Sequence, residues 1–92
     1  MKSKKKQTSF KEITKQDVER VDSLLNEYNI SAYVNADYSS NTLYIDIEWG
    51  DWKHDHLCCD MIMDNEGFHL IDTKIGEYDG DCYSATHTYV KL

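Results

Sequence analysis

The stretch LYIDIEWGDWKHDHLCCDMIM, residues 43–63, decides the fold expected for this chain. Its first part, LYIDIEW (residues 43–49), alternates apolar and polar side chains, and this period of two is typical of a half-buried β-strand. The core side of that strand would carry Leu43, Ile45, Ile47 and Trp49. The solvent side would carry Tyr44, Asp46 and Glu48.

The second part of the stretch is interpreted as a polar loop followed by another strand. The loop is GDWKHD, residues 50–55, and the strand is HLCCDMIM, residues 56–63. Because neighbouring side chains of a strand point to opposite faces, this strand would have one core face and one polar face. The core face would carry Leu57, Cys59, Met61 and Met63, and the polar face His56, Cys58 and Asp60. The whole stretch is therefore predicted to be a β-hairpin.

An amphipathic helix is predicted before this hairpin, from about Lys15 to Tyr28. Thr14 is a good N-cap, and Asp17 follows three residues later as a capping-box variant with Asp instead of Glu. Asn29 can adopt the left-handed conformation that ends a helix. The apolar stripe of this helix would consist of Val18, Val21, Leu25 and Tyr28.

Three further strands are expected to complete the sheet. Residues 31–38 alternate, with Tyr33, Asn35 and Asp37 on one side, and residues 64–67 are expected to form a hairpin turn. Residues 68–75 form a strand whose phase stays open, and residues 83–90 form the last strand after a Gly/Asp loop. The fold class is thus α+β, with one N-terminal helix packed on a four- to five-stranded antiparallel sheet. A flexible basic tail, residues 1–12, would precede this single domain, residues 13–92.

Charge is distributed unevenly along the chain. Residues 1–20 contain seven basic and three acidic residues, a net charge of +4, whereas residues 21–92 contain three basic and 14 acidic residues, a net charge of −11. An anionic domain repels nucleic acid and membrane surfaces and attracts basic proteins. The alternative is that the acidic residues only keep a small protein soluble.

The cysteines and the hydropathy predict a cytoplasmic protein. Three cysteines are an odd number, and adjacent Cys58 and Cys59 would point to opposite faces of a strand, so a disulfide framework is not expected. A reducing compartment is the simplest interpretation. The chain has no apolar run of the roughly 18 residues that span a bilayer.

A partner-binding surface is expected where aromatic and acidic residues alternate on the polar side of the sheet and in the loop. Tyr and Trp supply contact area and carboxylates attract a basic protein, and a row of carboxylates can also imitate DNA phosphates. An ordinary solvated sheet face is the alternative, since Tyr is common on strands. The expected partner-binding residues are Tyr33, Asp37, Tyr44, Asp46, Glu48, Asp51, Trp52, Asp55 and Asp60.

Two kinds of reactive site compete with that interpretation. His54, His56 and Cys58 have i, i+2, i+4 spacing, which on a strand would align three zinc ligands, with His69 or His87 joining from a neighbouring strand. No paired Cys or His signature accompanies them, so no metal is favoured. Cys82 or Ser84 with His87 could form a nucleophilic site, but each pair falls on opposite strand faces, and the chain is not expected to be an enzyme.

Two motifs resemble segments of small uncharacterised proteins carried by phages and mobile elements of Gram-positive bacteria: WGDWKHDH (Trp49–His56) and GDCYSATHTY (Gly80–Tyr89). The small size and the acidity are also similar to anti-CRISPR proteins. This resemblance implies a protein that binds and blocks a larger nucleic-acid enzyme, often where DNA would sit, and it transfers no residue roles. The expected function is therefore a protein-binding inhibitor or modulator of a basic nucleic-acid-handling protein. A small zinc-binding domain and a structural or oligomerising domain are the alternatives, and the oligomeric state stays open.

Overall fold

The computed structural model describes residues 10–92, which form two helices and one four-stranded antiparallel sheet. The elements follow one another as α1 (Lys15–Glu27), β1 (Tyr33–Asp37), β2 (Thr42–Asp51), a π-helical segment (Trp52–His56) that continues into α2 (Leu57–Asn65), β3 (Phe68–Asp79) and β4 (Cys82–Lys91). The strand order across the sheet is β1-β2-β4-β3. The predicted α+β class, with an N-terminal helix and a four-stranded antiparallel sheet, is confirmed.

Helix α1 begins as its capping residues predict. The Thr14 hydroxyl accepts a hydrogen bond from the Asp17 backbone N–H at 3.3 Å, and the Asp17 carboxylate accepts one from the Thr14 N–H at 2.8 Å. Asn29, at φ 60°, follows the end of the helix. Val21 and Leu25 are buried, but Tyr28 is 51% exposed, because the last helical turn ends before it. Tyr28 is therefore not part of the core.

Residues 56–63 are helical, so the predicted second strand of the hairpin is wrong. Cys59 and Met63, one helical turn apart, are buried, whereas Leu57 is 44% and Met61 is 62% exposed. A short apolar run satisfies the period of a strand and that of a helix about equally well, so its alternation does not decide between them. The predicted hairpin turn 64–67 is instead the end of α2, where Gly67 has φ 91°.

The core lies between the two helices and one face of the sheet. Strand β2 contributes Leu43, Ile45 and Ile47, all fully buried, and β4 contributes Tyr89. The other face of the sheet is not covered by either helix. The buried residues that pack together in the core are Ile13, Val21, Leu25, Ile30, Leu43, Ile45, Ile47, Cys59, Met63, Phe68 and Tyr89.

A β-bulge near the end of β2 changes which side chains face the core. The register with β4 shifts between Ile47 and Gly50, and Trp49 within this bulge is 52% exposed, so the prediction that it faces the core is wrong. A Cβ atom on Gly50 would lie 2.8 Å from the Cβ of Asp55. Glycine therefore lets the π-helical segment pack directly on the strand end.

The predicted Gly/Asp loop is shorter than expected, because β3 extends to Asp79. The turn between β3 and β4 consists of Gly80, at φ 63°, and Asp81. The register settles the phase of residues 68–75: Leu70 pairs with Tyr89 and Thr73 with His87, on the core side.

The N-terminal tail prediction concerns residues 1–12, of which residues 1–9 lie outside the described part of the chain. The Lys11 backbone N–H donates a hydrogen bond of 2.8 Å to the Lys91 carbonyl oxygen at the end of β4. None of the helices within residues 10–92 has the length and apolar character needed to cross a membrane.

Candidate functional site

The sheet face opposite the helices, called the open sheet face below, contains the first group of predicted partner-binding residues. On β1 and β2 the register pairs Tyr33 with Asp46, Asn35 with Tyr44 and Asp37 with Thr42. On the other two strands, Thr88 and Thr86 of β4 pair with Asp72 and Lys74 of β3. The open sheet face consists of Tyr33, Asn35, Asp37, Thr42, Tyr44, Asp46, Asp72, Lys74, Thr86 and Thr88.

This face is acidic and carries exposed aromatic area. Tyr33 is 61% exposed, and Asp37 and Asp46 are exposed as well. The Ser39 hydroxyl donates a 2.7 Å hydrogen bond to the Asp37 carboxylate. This bond is the main reason why the pKa of Asp37 lies below its usual value. Asp37 therefore stays ionised at neutral pH.

A shallow groove of about 540 Å³ crosses the middle of the open sheet face. Its lining is rich in hydroxyl groups, including those of Thr42, Tyr44, Thr86 and Thr88. The Thr42 hydroxyl donates to the Tyr44 hydroxyl at 3.2 Å, which holds the tyrosine side chain along the strand. Hydroxyls of this kind can donate and accept, so the groove suits a polar surface that carries both kinds of group.

Four predicted partner-binding residues lie elsewhere, because a π-helical segment replaces the predicted loop and α2 replaces the expected strand. Asp51 caps the π-helical segment, since its carboxylate accepts from the His54 N–H at 3.1 Å, and Asp55 accepts from the Asp51 N–H at 2.7 Å. Trp52 and Asp60 line a cleft beside α2 on the helix side of the sheet. Glu48 is exposed within the bulge at the end of the open sheet face. The predicted surface is thus divided between two sides of the molecule.

A pair of buried histidines lies under the cleft beside α2. His56, from the π-helical segment, is 3% exposed, and His87, from β4, is 5% exposed. Their ring nitrogens, Nδ1 of His56 and Nε2 of His87, are 3.0 Å apart. The outer nitrogens are also engaged: His56 Nε2 is 2.9 Å from the Tyr83 carbonyl oxygen, and His87 Nδ1 is 3.1 Å from the Thr73 hydroxyl.

One arrangement of protons satisfies all of these contacts with both rings neutral. The Tyr83 carbonyl can only accept, so Nε2 of His56 carries a proton and donates it, and Nδ1 of His56 is left to accept from His87. His87 then accepts from the Thr73 hydroxyl. Burial, and next the neighbouring His56, lower the pKa of His87, with Asp60 acting in the opposite direction. Both geometry and solvation therefore favour the neutral pair.

The cleft above the histidines is a shallow depression of about 190 Å³. Its walls are Trp52, Leu57 and Asp60 on one side and Leu70, Thr73 and Tyr83 on the other. The ring of Tyr83 stacks on His56 with centroids 3.8 Å apart. The Asp60 carboxylate accepts a hydrogen bond from the Tyr89 hydroxyl at 3.3 Å.

The strand row proposed for zinc, formed by His54, His56 and Cys58, does not exist, because these residues lie on the π-helical segment and α2. His54 is exposed, while both ring nitrogens of His56 are engaged as described above. In the described chain, no three His, Cys, Asp or Glu side chains come close enough together to hold a metal ion. Burial also raises the pKa of the Cys59 thiol to about 12.

Cys82 and Ser84, which could form a nucleophilic site with His87 but are not expected to, make no hydrogen bond to it within the described residues. The Ser84 hydroxyl accepts from the Glu77 N–H at 3.0 Å, and His87 contacts Thr73 and His56 instead. The sequence allows His87 to approach the row of His56 from a neighbouring strand, but as a zinc ligand and with His56 on a strand. Their meeting depends on the helical turn at residues 52–56 and on the β3–β4 register.

Comparisons of this chain with protein-family models, with curated proteins and with solved structures find no match. The functional inference therefore starts from the chain's own residues.

Proposed function

We propose that this protein is a small acidic binding module whose open sheet face binds a larger basic protein and inhibits or modulates it. The partner is a nucleic-acid-handling protein, and the carboxylates occupy the surface that would otherwise receive DNA phosphates, as in anti-CRISPR proteins. The observation that supports this proposal is that the sheet face left uncovered by α1 and α2 carries exposed Tyr33 paired with Asp46, together with Asp37 and Asp72. Lys74 is the one basic residue in the set that defines this face.

The charge of the whole domain supports a basic partner. Residues 10–92 contain 17 acidic and six basic residues. A net negative field accelerates encounter with a positive surface and opposes wrong partners of like charge. Rim charges act mainly on the association rate, so binding should weaken as salt is added.

The aromatic residues supply what charge alone does not. Exposed Tyr33 and half-buried Tyr44 lie on neighbouring strands of one face, and Asn35, two residues after Tyr33, pairs with Tyr44. Tyrosine contributes large contact area and a hydroxyl with little loss of side-chain entropy on binding. The combination suits a protein surface better than a small molecule, because the depressions that the described residues form on the open sheet face are shallow.

Affinity capture from a bacterial host lysate tests the proposal, with the captured partner then purified. The variant Asp37→Lys/Asp46→Lys/Asp72→Lys reverses three charges on the open sheet face, and we expect it to lose the partner. The matched control, Glu19→Lys/Asp22→Lys/Glu27→Lys, makes the same charge change on the exposed face of α1 and should retain it. Circular dichroism verifies that both variants fold.

Two further readouts make the test specific. The purified partner should bind duplex DNA less well in the presence of the wild-type protein, and duplex DNA should displace the protein from the partner. Equal capture by both triple variants, or equal loss by both, would contradict a role for the open sheet face. A partner that contacts this face but keeps its full DNA affinity would contradict the DNA-mimicry part alone.

Self-association is a second candidate, favoured by the outer edge of β3, which no other strand within residues 10–92 pairs with. This strand is 12 residues long, pairs on one side with β4 and is exposed from Ile71 to Asp79. Bulges at Leu70/Asp72 and Ile75/Tyr78 interrupt its regular pairing, and such bulges discourage edge-to-edge association. Sedimentation over a wide concentration range distinguishes the two: a monomer throughout rules out the edge as a dimer interface.

A further inference from the structure

We propose that the cleft between α2 and the β3–β4 hairpin binds the side chain of an arginine residue from another protein. This cleft has Trp52, Leu57 and Asp60 on one wall and Leu70 and Tyr83 on the other. It lies on the helix side of the sheet, away from the open sheet face. The site is therefore additional to the surface described under the proposed function and does not depend on it.

The charge of the cleft selects a cation. Asp60 is the one acidic residue of its lining, and the two histidines beneath it are neutral in the hydrogen-bonded arrangement derived above. The contact from Tyr89 engages Oδ1 of Asp60, and no donor within residues 10–92 reaches its other oxygen, Oδ2. A half-buried carboxylate with a free oxygen is stabilised by a charged donor that reaches it.

The walls of the cleft select a guanidinium group with a long aliphatic stem. Trp52 is 49% exposed, and Tyr83 has its ring held parallel to the His56 ring, within 5°. Arginine stacks its planar guanidinium on aromatic rings and makes paired hydrogen bonds to a carboxylate, whereas the lysine ammonium is a strongly hydrated point charge. Leu57 and Leu70 offer apolar surface to the methylene groups of the stem.

A peptide titration followed by ¹H–¹⁵N NMR tests this proposal directly and needs no partner protein. The probe is N-acetyl-Gly-Arg-Gly-amide, and we expect it to shift the indole N–H signal of Trp52 with a dissociation constant on the order of millimolar. Trp49 is an internal control, since it is similarly exposed, at 52%, but does not line the cleft. Equal shifts of both indole signals would indicate non-specific attraction to an acidic protein and would overturn the proposal.

Three comparison peptides separate charge, shape and stacking. The citrulline analogue keeps the planar shape without the charge, and the norleucine analogue keeps only the apolar stem. Both should bind at least several-fold more weakly than the arginine peptide. A norleucine peptide that binds as well would identify an apolar site, and a lysine peptide that binds as well would contradict selection by stacking.

The Asp60→Asn variant tests the role of the carboxylate. Asparagine keeps a carbonyl oxygen that can accept from Tyr89, so the fold should survive, while loss of the charge should weaken arginine binding about tenfold. Asp64→Asn, an exposed acidic residue one turn further along α2, is the matched control and should bind normally. If Asp60→Asn does not fold, Trp52→Leu replaces it, and its binding is followed through the backbone amide signals of Leu57 and Leu70, which line the cleft. Unchanged binding by the folded variant, or no shift of the wild-type Trp52 signal at about 10 mM peptide, would overturn the proposal.

Discussion

Two buried imidazoles, those of His56 and His87, form one hydrogen-bonded chain from the Thr73 hydroxyl to the Tyr83 carbonyl oxygen. Every ring nitrogen in this chain has a partner. A buried polar group that keeps its hydrogen bonds is tolerated in a core, whereas an unpaired one is costly. In the neutral pair each ring carries one proton, and both protons are donated within the chain. A further proton would place a charge on buried groups, which is costly, so the chain favours the neutral pair.

Stability should consequently fall as the solution is acidified below neutral pH. The folded-state pKa of His87 lies below the ordinary value of 6.5, because of burial first and His56 next, although Asp60 opposes the shift. Between that lowered pKa and 6.5 the unfolded chain binds a proton that the folded chain does not, so the free energy of unfolding decreases with falling pH. Each pKa unit of lowering contributes about 1.4 kcal/mol. Urea unfolding between about pH 7.5 and pH 5 measures this loss.

Substitution of one buried and one exposed histidine identifies the source of that pH dependence. His87→Gln should be less stable at pH about 7.5 and should show a smaller decrease on acidification, whereas exposed His69→Gln should behave like the wild type. The carboxyls of Asp17 and Asp37, whose pKa values are lowered from 3.8, titrate below this window. A wild-type pH dependence that survives in His87→Gln would contradict the assignment.

At the level of the elements, the two methionines in residues 56–63 distinguish a helix from a strand. The alternation of this segment predicts a strand, whereas the structure has a helix. Met61 and Met63 would both face the core of a strand, but in the helix Met63 is fully buried and Met61 is 62% exposed. Met63→Ala should therefore cost about 2–5 kcal/mol of unfolding free energy. Met61→Ala should change it by about 0.5 kcal/mol or less.

Chemical denaturation of both variants measures the difference, with Met63→Leu as a control that nearly conserves side-chain volume. If Met63→Ala is unfolded in buffer, Met63→Leu must still fold for the prediction to hold. Comparable destabilisation by the two alanine variants would indicate a strand with both methionines inside.

The elements that the sequence predicts well are those whose signals are local. The capping box at Thr14 and Asp17, the alternation from Leu43 to Ile47 and the left-handed residue Asn29 each depend on a few neighbouring residues, and each appears in the structure. Helix α2 could not be assigned in this way, because CCDMIM has no N-cap signal of its own. It is the continuation of a π-helical turn whose cap, Asp51, is the last residue of a strand.

In the candidate site, too, the sequence predicts the parts that depend on local patterns and misses those that depend on distant contacts. Tyr33, Asp37, Tyr44 and Asp46 come together as predicted, because they lie on adjacent strands whose alternation the sequence reveals. Asp60 was assigned to the same face by a strand period that does not apply. The contact of Thr73 with His87 spans 14 residues and depends on a bulge in β3, which no local pattern signals.

At the scale of the whole molecule, the two faces of the sheet have different roles. One face is closed by α1 and α2 and holds the core, the histidine pair and the Asp60 cleft, while the other is open and acidic. The predicted surface of nine residues combines features of both sides, because it places residues 56–63 on the sheet and adds the loop 50–55 to the same surface. Separating them turns one broad surface into two independently testable sites.

The net charge of the molecule predicts that added salt stabilises the fold. The described residues contain ion pairs between Arg20 and Glu66 at 2.6 Å and between Lys91 and Asp17 at 2.8 Å, and salt weakens both pairs. Against this stands repulsion among 17 acidic residues with six basic ones in residues 10–92, which acts over longer distances and is screened more completely. The repulsion involves many more pairs, so we expect its relief to be the larger effect.

The melting temperature should accordingly rise by several degrees between about 10 mM and about 300 mM NaCl, because about 1 kcal/mol shifts the midpoint of a domain this small by about 4–8 °C. The variant Glu19→Gln/Asp22→Asn/Glu27→Gln removes three exposed charges of α1 without touching either site, and its melting temperature should rise less. Calorimetry at the two salt concentrations gives both values. A melting temperature that stays constant or falls in the wild type would mean that the two ion pairs outweigh the repulsion of the acidic surface. Repulsion among the carboxylates of the free protein would then be small. A basic partner that neutralised the open sheet face would gain less binding free energy from relieving it.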